Sequence, residues 1–334
     1  MSSGSRAVVD LIAARKAEGS VPGARTDTAR LALVVEGGSS RGAFSSGMTL
    51  VIEQFALLDC FDALYGSSAG ALNGAWLLCG RAQRSISAWW DPRVMPKVIN
   101  PRRALLGRPI VDTRLLVEHV YVNVFPMGFE DILAGRVSFH PLGTDARTGE
   151  STDLRPYLAD VPSLQLALRA STCLPVLAGR PIALGPSRYV DAGVAETVPI
   201  LTALKQGATH VVALRTRRED EMPGPPSPME RRFVGRYMAK HAPGALDVWM
   251  SRHERRQDEE RALREHPAVL QIRPPAGAPE MGRVERGGEV LRQAVALGRA
   301  EAMAAFGPAL TVGASADGTV VPGPARPDDL ISEA

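Results

Sequence analysis

Ser68 stands in the run Gly66, Ser67, Ser68, Ala69, Gly70, with a strand-like stretch before it (Phe61 to Tyr65) and a small-residue apolar stretch after it (Ala69 to Cys79). A serine on a tight corner between a strand and a helix exposes its hydroxyl as a nucleophile, and small neighbours let the backbone turn. The pattern G-x-S-x-G is short enough to arise by chance in a chain with 32 glycines, so its place between a strand and a helix is what gives it weight. A second cluster, EGGSSRGAF at 36–44, directly follows the apolar run Leu31 to Val35. There Gly37, Gly38 and Gly42 bracket Ser39, Ser40 and Arg41, and such a turn presents unpaired backbone N–H groups at the positive end of the next helix. It suits an anion. A phosphate cradle would call for G-x-G-x-x-G or a closing G-K-[ST]; neither is met, since Ser39 holds the third position, and an oxyanion hole serving Ser68 is the favoured use. A plain strand-to-helix turn is the other alternative.

A serine nucleophile needs a base, most often a histidine held by a carboxylate. The six histidines, His119, His140, His210, His241, His253 and His266, all fall in helical, strand-like or polar segments, and none lies in a glycine-flanked loop built to position it. Asp191 is different. In RYVDAGV a strand runs into this carboxylate, and the small Ala192 and Gly193 allow a close backbone approach. A carboxylate bonded to the hydroxyl can take its proton once partial burial raises its basicity, which makes a Ser-Asp dyad of Ser68 and Asp191.

Taken in order, EGGSSRGAF, GSSAG, ASTCLP at 170–175 and DAGV at 191–194 resemble the patatin-like phospholipase family, over about Leu31 to Leu214 and more weakly from Val269 to Phe306. The resemblance implies a three-layer α/β/α fold with a mostly parallel central sheet and a Ser-Asp dyad without histidine. By it, Ser68 is the nucleophile, Asp191 the general base, and the N–H groups of Gly37, Gly38 and Ser39 the oxyanion donors. Arg41 steadies that loop, Gly42, Gly66, Gly70 and Gly193 complete the motifs, and Ala170 to Pro175 supports the site. The implied activity is hydrolysis of lipid carboxylic esters, of phospholipase A or lysophospholipase type, with no cofactor and no metal. Two departures stand out: Ser39 replaces the third glycine of the family's usual GGG, and Ala192 the glycine of its DG[GA]. A noncatalytic lipid- or acyl-binding protein and a His-dependent α/β-hydrolase are the alternatives.

The elements that must position these residues read as follows. Helix is expected at Ser5 to Lys16, strand at Leu31 to Val35, helix at Gly42 to Leu58, strand at Phe61 to Tyr65 and helix at Ala69 to Cys79. Further strands are expected at Arg136 to Leu142, Ser187 to Val190, His210 to Leu214 and Val269 to Ile272, with helices at Leu164 to Ser171, Pro199 to Gln206 and Val284 to Phe306. Alternating strands and helices point to a parallel sheet whose carboxyl-end loops hold the site. The domain reading is an N-terminal helix and linker over 1–29, a hydrolase domain over 30–307 and a flexible tail over 308–334. Within the domain, 215–267 is a charged helical insertion or lid-like segment. For its part from Glu230 to His266, lying on a membrane or covering the acyl pocket is the alternative to a solvated helical pair, which is favoured because the acids and bases nearly cancel. Trp89 and Trp90 are read as core at a helix end rather than an interfacial anchor.

With 334 residues, 45% hydrophobic and 22% charged, the chain can bury one large core. Its 39 basic and 36 acidic residues are too balanced for a dedicated nucleic-acid binder, though transient contact with a membrane surface stays open. Cys60, Cys79 and Cys173 lack metal-ligand or paired spacing and read as reduced core residues, which suggests a cytoplasmic protein, peripheral to membranes at most. No secretion signal and no apolar run of spanning length is found. The sequence leaves the oligomeric state and the head group open.

Overall fold

The computed structural model describes residues 2–221 and 224–311. The run LALVV forms β1 (Leu31–Val35), buried on both faces as an unbroken apolar strand should be. A glycine-rich turn leads to α2 (Gly42–Gln54), β2 (Ala63–Gly66) and α3 (Ala69–Leu78). Three short helices, α4 (Ala82–Ser85), α5 (Met95–Val98) and α6 (Phe129–Ala134), follow, with a wide π-helical stretch at Leu115–Val124 between the last two. Then come β3 (Ser138–Asp145), β4 (Ser151–Asp153), α7 (Val161–Ser171), β5 (Ile182–Leu184), β6 (Ser187–Val190), α8 (Ile200–Lys205) and β7 (His210–Leu214). The chain closes with α9 (Pro228–His241), α10 (Leu246–Met250), α11 (Arg252–Glu265), β8 (Val269–Ile272) and α12 (Gly288–Thr311).

One eight-stranded sheet runs β5-β6-β3-β2-β1-β7-β8, with β4 beside β3. The five strands from β3 to β8 are parallel, whereas β4, β5 and β6 pair antiparallel. Side-chain alternation along each strand divides the interior between two layers of helices. On one face, Leu31, Leu33, Val35, Leu64 and Val212 join Met48 of α2, Ala75 of α3 and Leu291 of α12. Opposite them, Ala32, Val34, Tyr65 and Ala213 meet Ile200 of α8 and Leu263 of α11. This is the three-layer α/β/α arrangement. Because β2 and β7 lie on opposite sides of β1, the chain reverses direction there, and the loops at the carboxyl ends of these strands open a crevice.

The first helix, α1 (Ser3–Ala17), is part of this core: Val8 and Ile12 are fully buried. Arg15, 1% exposed, bridges Asp27 at 2.7 Å and Asp62 at 2.8 Å and so ties the linker to the sheet. Helix α2 ends at Gln54, short of Leu58, because Ala56 turns left-handed at φ 48°. Consequently Leu58–Cys60 is a single 3-10 turn and β2 starts at Ala63 rather than Phe61. Strands β4 and β5, three residues each, were not foreseen. Helix α12 begins at Gly288 instead of Val284 and continues to Thr311; the rest of the expected tail lies outside the described residues. No helix among the described residues is long and apolar enough to cross a membrane.

Candidate active site

The corner after β2 is forced by close contact. A Cβ on Gly66 would lie 2.5 Å from Ala71 Cα, and one on Gly70 would lie 2.2 Å from Val35 O, so only glycine lets α3 start against β1. Ser68 takes φ 53° and ψ −124° at this corner. For a residue other than glycine that backbone costs on the order of 1–3 kcal/mol and persists only where its surroundings hold it. They do: Ser68 N–H donates to Ser171 Oγ at 3.0 Å, and the neighbouring Ser67 Oγ–H donates to Glu196 O at 2.8 Å.

Strand β6 delivers Asp191 to the same point. Its side chain is 3% exposed, with Oδ2 accepting from Ser68 Oγ–H at 2.6 Å and Oδ1 accepting from Gly193 N–H at 2.9 Å. The main chain is clamped as well, by Asp191 N–H donating to Cys173 O at 2.9 Å and Thr144 Oγ–H donating to Asp191 O at 2.9 Å. Burial pushes the carboxyl up to about 6, against the pull of the Ser68 hydroxyl, the Gly193 N–H and the Arg283 and Arg256 guanidiniums. The segment ASTCLP thus fixes both partners, through the Ser171 hydroxyl and the Cys173 carbonyl. The sequence marked this segment as support but did not single out those two residues, and nothing in it pointed to Thr144.

The glycine-rich loop corrects one expectation. Gly37 N–H donates to Thr197 O at 3.0 Å, so this group is consumed by the fold and is not free to meet an oxyanion. Gly38 and Ser39 N–H, by contrast, make no hydrogen bond among the described residues, and neither does Ala69 N–H at the first position of α3. Ala69 directly follows the serine, a position that supplies an oxyanion donor in nucleophile elbows. The sequence reading overlooked it. A Cβ on Gly38 would fall 2.6 Å from Thr216 Oγ1, whose hydroxyl donates to Gly37 O at 2.7 Å, so the segment just after β7 holds the loop from behind. Gly42 brings the loop onto α3: a Cβ there would be 2.8 Å from that of Ala69. The Arg41 Cβ packs on Gly38, and its guanidinium lies 3.9 Å from Glu221. Of the two departures, Ala192 keeps an ordinary negative φ, whereas Ser39 is held at φ 53°.

Ser68 opens onto a cavity of about 110 Å³ lined by Leu72, Trp76, Trp89, Val98, Val111 and Leu174, with Arg283 at its edge. Trp89 is therefore cavity wall. None of the six histidines bonds Ser68 or Asp191. His140, the most buried, pairs with Asp153 at 2.7 Å and stacks on Tyr65. His210 meets Thr209, His241 packs on Tyr237, His119 meets Asn123, His253 lies near Glu254 and His266 accepts from Ala268 N–H.

The family model for patatin-like phospholipase matches residues 33–204. The chain belongs to the patatin-like phospholipase family. The matched span includes the turn after β1, Ser68 and Asp191. An uncharacterized protein of Escherichia coli strain K12, YjjU, is 29% identical over 194 residues, covering 56% of this chain and 52% of YjjU. The chain thus spans about half the length of the curated relative it matches. Strands β7 and β8, helices α9 to α12 and with them Arg256 and Arg283 lie outside the family match.

Proposed function

We propose that the protein is a serine acyl hydrolase cleaving lipid carboxylic esters, of phospholipase A or lysophospholipase type. The 2.6 Å bond between the Ser68 hydroxyl and the Asp191 carboxylate, at the floor of an apolar cavity, is the observation that carries this reading. Ser68 Oγ attacks the ester carbonyl while Asp191 takes its proton. The tetrahedral oxyanion is received by the N–H groups of Gly38 and Ser39, with Ala69 N–H available beside them. Asp191 gives the proton to the departing alcohol, leaving an acyl-serine. Water, deprotonated by Asp191, then releases the fatty acid and restores the serine. An acid held near 6 is ionised at pH 7 yet basic enough to accept a proton in the transition state. Gly193 N–H keeps its other oxygen occupied and the carboxylate aimed.

A fluorophosphonate probe tests the assignment. It is expected to label the wild type at Ser68 and to leave Ser68→Ala unlabelled. A modification mapped to any other residue overturns the assignment, and absence of any adduct favours a noncatalytic acyl-binding protein.

A further inference from the structure

We propose that three segments around the mouth of the Ser68 cavity form a docking surface for an anionic lipid bilayer, an inference that starts from the lipid-ester reading of that cavity. The segments are 99–111, 173–180 and α9. They meet: Val111 N–H donates to Leu177 O at 2.9 Å, a Cβ on Gly179 would lie 3.0 Å from Pro109, and Tyr237 of α9 donates its hydroxyl to Gly179 O. Val98, Ile99, Val111 and Leu174 line the cavity, so the junction lies at its mouth.

Two properties coincide there. Five of the eight large apolar side chains exposed among the described residues belong to these segments: Leu105 (87%), Leu106 (73%), Val176, Met229 and Phe233. Phe233 and Met229 stand one and two turns before Tyr237, on the stripe of α9 that faces this junction. Leu105 and Leu106, at the end of a 3-10 turn over Pro101–Leu106, bury little in the folded chain and are costly to leave in water. The second property is charge. The three segments contain eight arginines and lysines and a single acid, Glu230, although the whole chain is nearly balanced at +3. Arg103 pairs with Asp112, while Arg102, Arg108, Arg180, Arg232, Arg236 and Lys240 point outward. Apolar tips ringed by cations match an interface of anionic head groups over acyl chains. A protein partner would need shape complementarity that a scatter of separate tips does not provide.

Sedimentation of the full chain with vesicles tests this. The protein is expected to bind phosphatidylcholine–phosphatidylglycerol vesicles at least tenfold more tightly than pure phosphatidylcholine and to lose that preference in high salt. Arg232→Gln with Arg236→Gln should weaken binding roughly 25-fold, at about fivefold per cation, and Leu105→Asp with Leu106→Asp by tenfold or more. Both variants should hydrolyse a soluble short-chain ester like the wild type, and Ser68→Ala should bind vesicles normally. Equal binding to both vesicle types, or unaltered binding by both double variants, overturns the proposal. Lipid-free self-association abolished by the leucine changes would assign the face to a second copy and overturn it too. Loss of ester turnover with vesicle binding intact would sink only the catalytic reading.

Discussion

Two buried carboxylates, each directly after a strand of the one sheet, behave in opposite ways. Glu36 follows β1 and is 1% exposed; Asp191 follows β6 and is 3% exposed. Burial alone would push both up. For Glu36 the Arg215 and Arg217 guanidiniums and the Thr216 N–H outweigh it and hold the carboxyl down at about 2, whereas Asp191 has only a hydroxyl, one N–H and distant cations and stays near 6. The difference lies in the partners. Glu36 accepts from Arg215 Nε at 2.9 Å and Thr216 N–H at 2.7 Å, which makes it an anchor for the turn that starts at Gly37. Asp191 is left with its proton affinity intact, which costs stability and suits it to the base role proposed for it.

Removing the base should have the largest effect on this contrast. Asp191→Asn keeps the shape and can still accept the Gly193 N–H, so kcat is expected to fall about 10³-fold or more, while Glu36→Gln should retain turnover in the fraction that stays folded. Stability should separate the two in the other direction. Glu36→Gln strips a charge partner from Arg215, which keeps Glu260 as its other acid; the cost is expected at roughly 3 kcal/mol in denaturant unfolding. Asp191→Asn is expected to be no less stable than wild type at pH 7. Full activity in Asp191→Asn, or a stability loss there matching Glu36→Gln, would break the comparison.

The pH dependence sharpens it. A carboxyl raised in the folded state binds its proton more tightly there than in the unfolded chain. The stability it contributes is thus present below about 3.8 and lost as pH rises through about 6. For the depressed Glu36 the contribution is present above about 4.5 and lost as pH falls through about 2. The proposed mechanism needs the Asp191 carboxylate, so kcat/KM is expected to rise with pH through an apparent value near 6 and then level off. A flat profile from pH 5 to 8 on a soluble ester would show that the proton goes elsewhere.

The legible part of this architecture is the part where one physical demand dominates. Strands β1, β7 and β8 lie where their apolar runs placed them, because a strand covered on both faces must be largely apolar. The glycines of the Ser68 corner were legible for the same reason, each marking a contact too close for a Cβ. Occupancy of an N–H was not legible: whether Gly37 or Gly38 is free depends on Thr197 O, more than 150 residues away in the chain. The region from Arg81 to Arg136 defied periodicity, since its short helices and π-helical turns serve the cavity wall rather than a regular face. In the segment read as charge-balanced, only α11 is balanced, with five acids and five bases, whereas α9 carries four arginines and lysines to one acid. The bases of α9 stand almost alone, and in α11 Glu259 is buried, accepting from Thr197 N–H at 2.7 Å and Val198 N–H at 3.0 Å. Burial beside Glu196 pushes that acid up to about 8.

The smallest expected effect concerns the turn that Glu36 anchors. Ser39 stands where the family usually has glycine and is held at φ 53°, a left-handed backbone that costs a residue with a Cβ about 1 kcal/mol. Its hydroxyl makes no hydrogen bond among the described residues, so what this position offers the cavity is its N–H, which glycine would offer equally. Ser39→Gly relieves the strain but loosens the unfolded chain by a comparable roughly 0.5–1 kcal/mol. The two nearly cancel, and unfolding free energy should move by less than about 0.5 kcal/mol, with kcat held within about threefold. A tenfold or larger change in kcat at unchanged stability would mean that the hydroxyl itself meets the substrate. The loop would then contribute a side chain to the site and not only backbone, and the division between an anchoring Glu36 and a reactive Asp191 would no longer describe it.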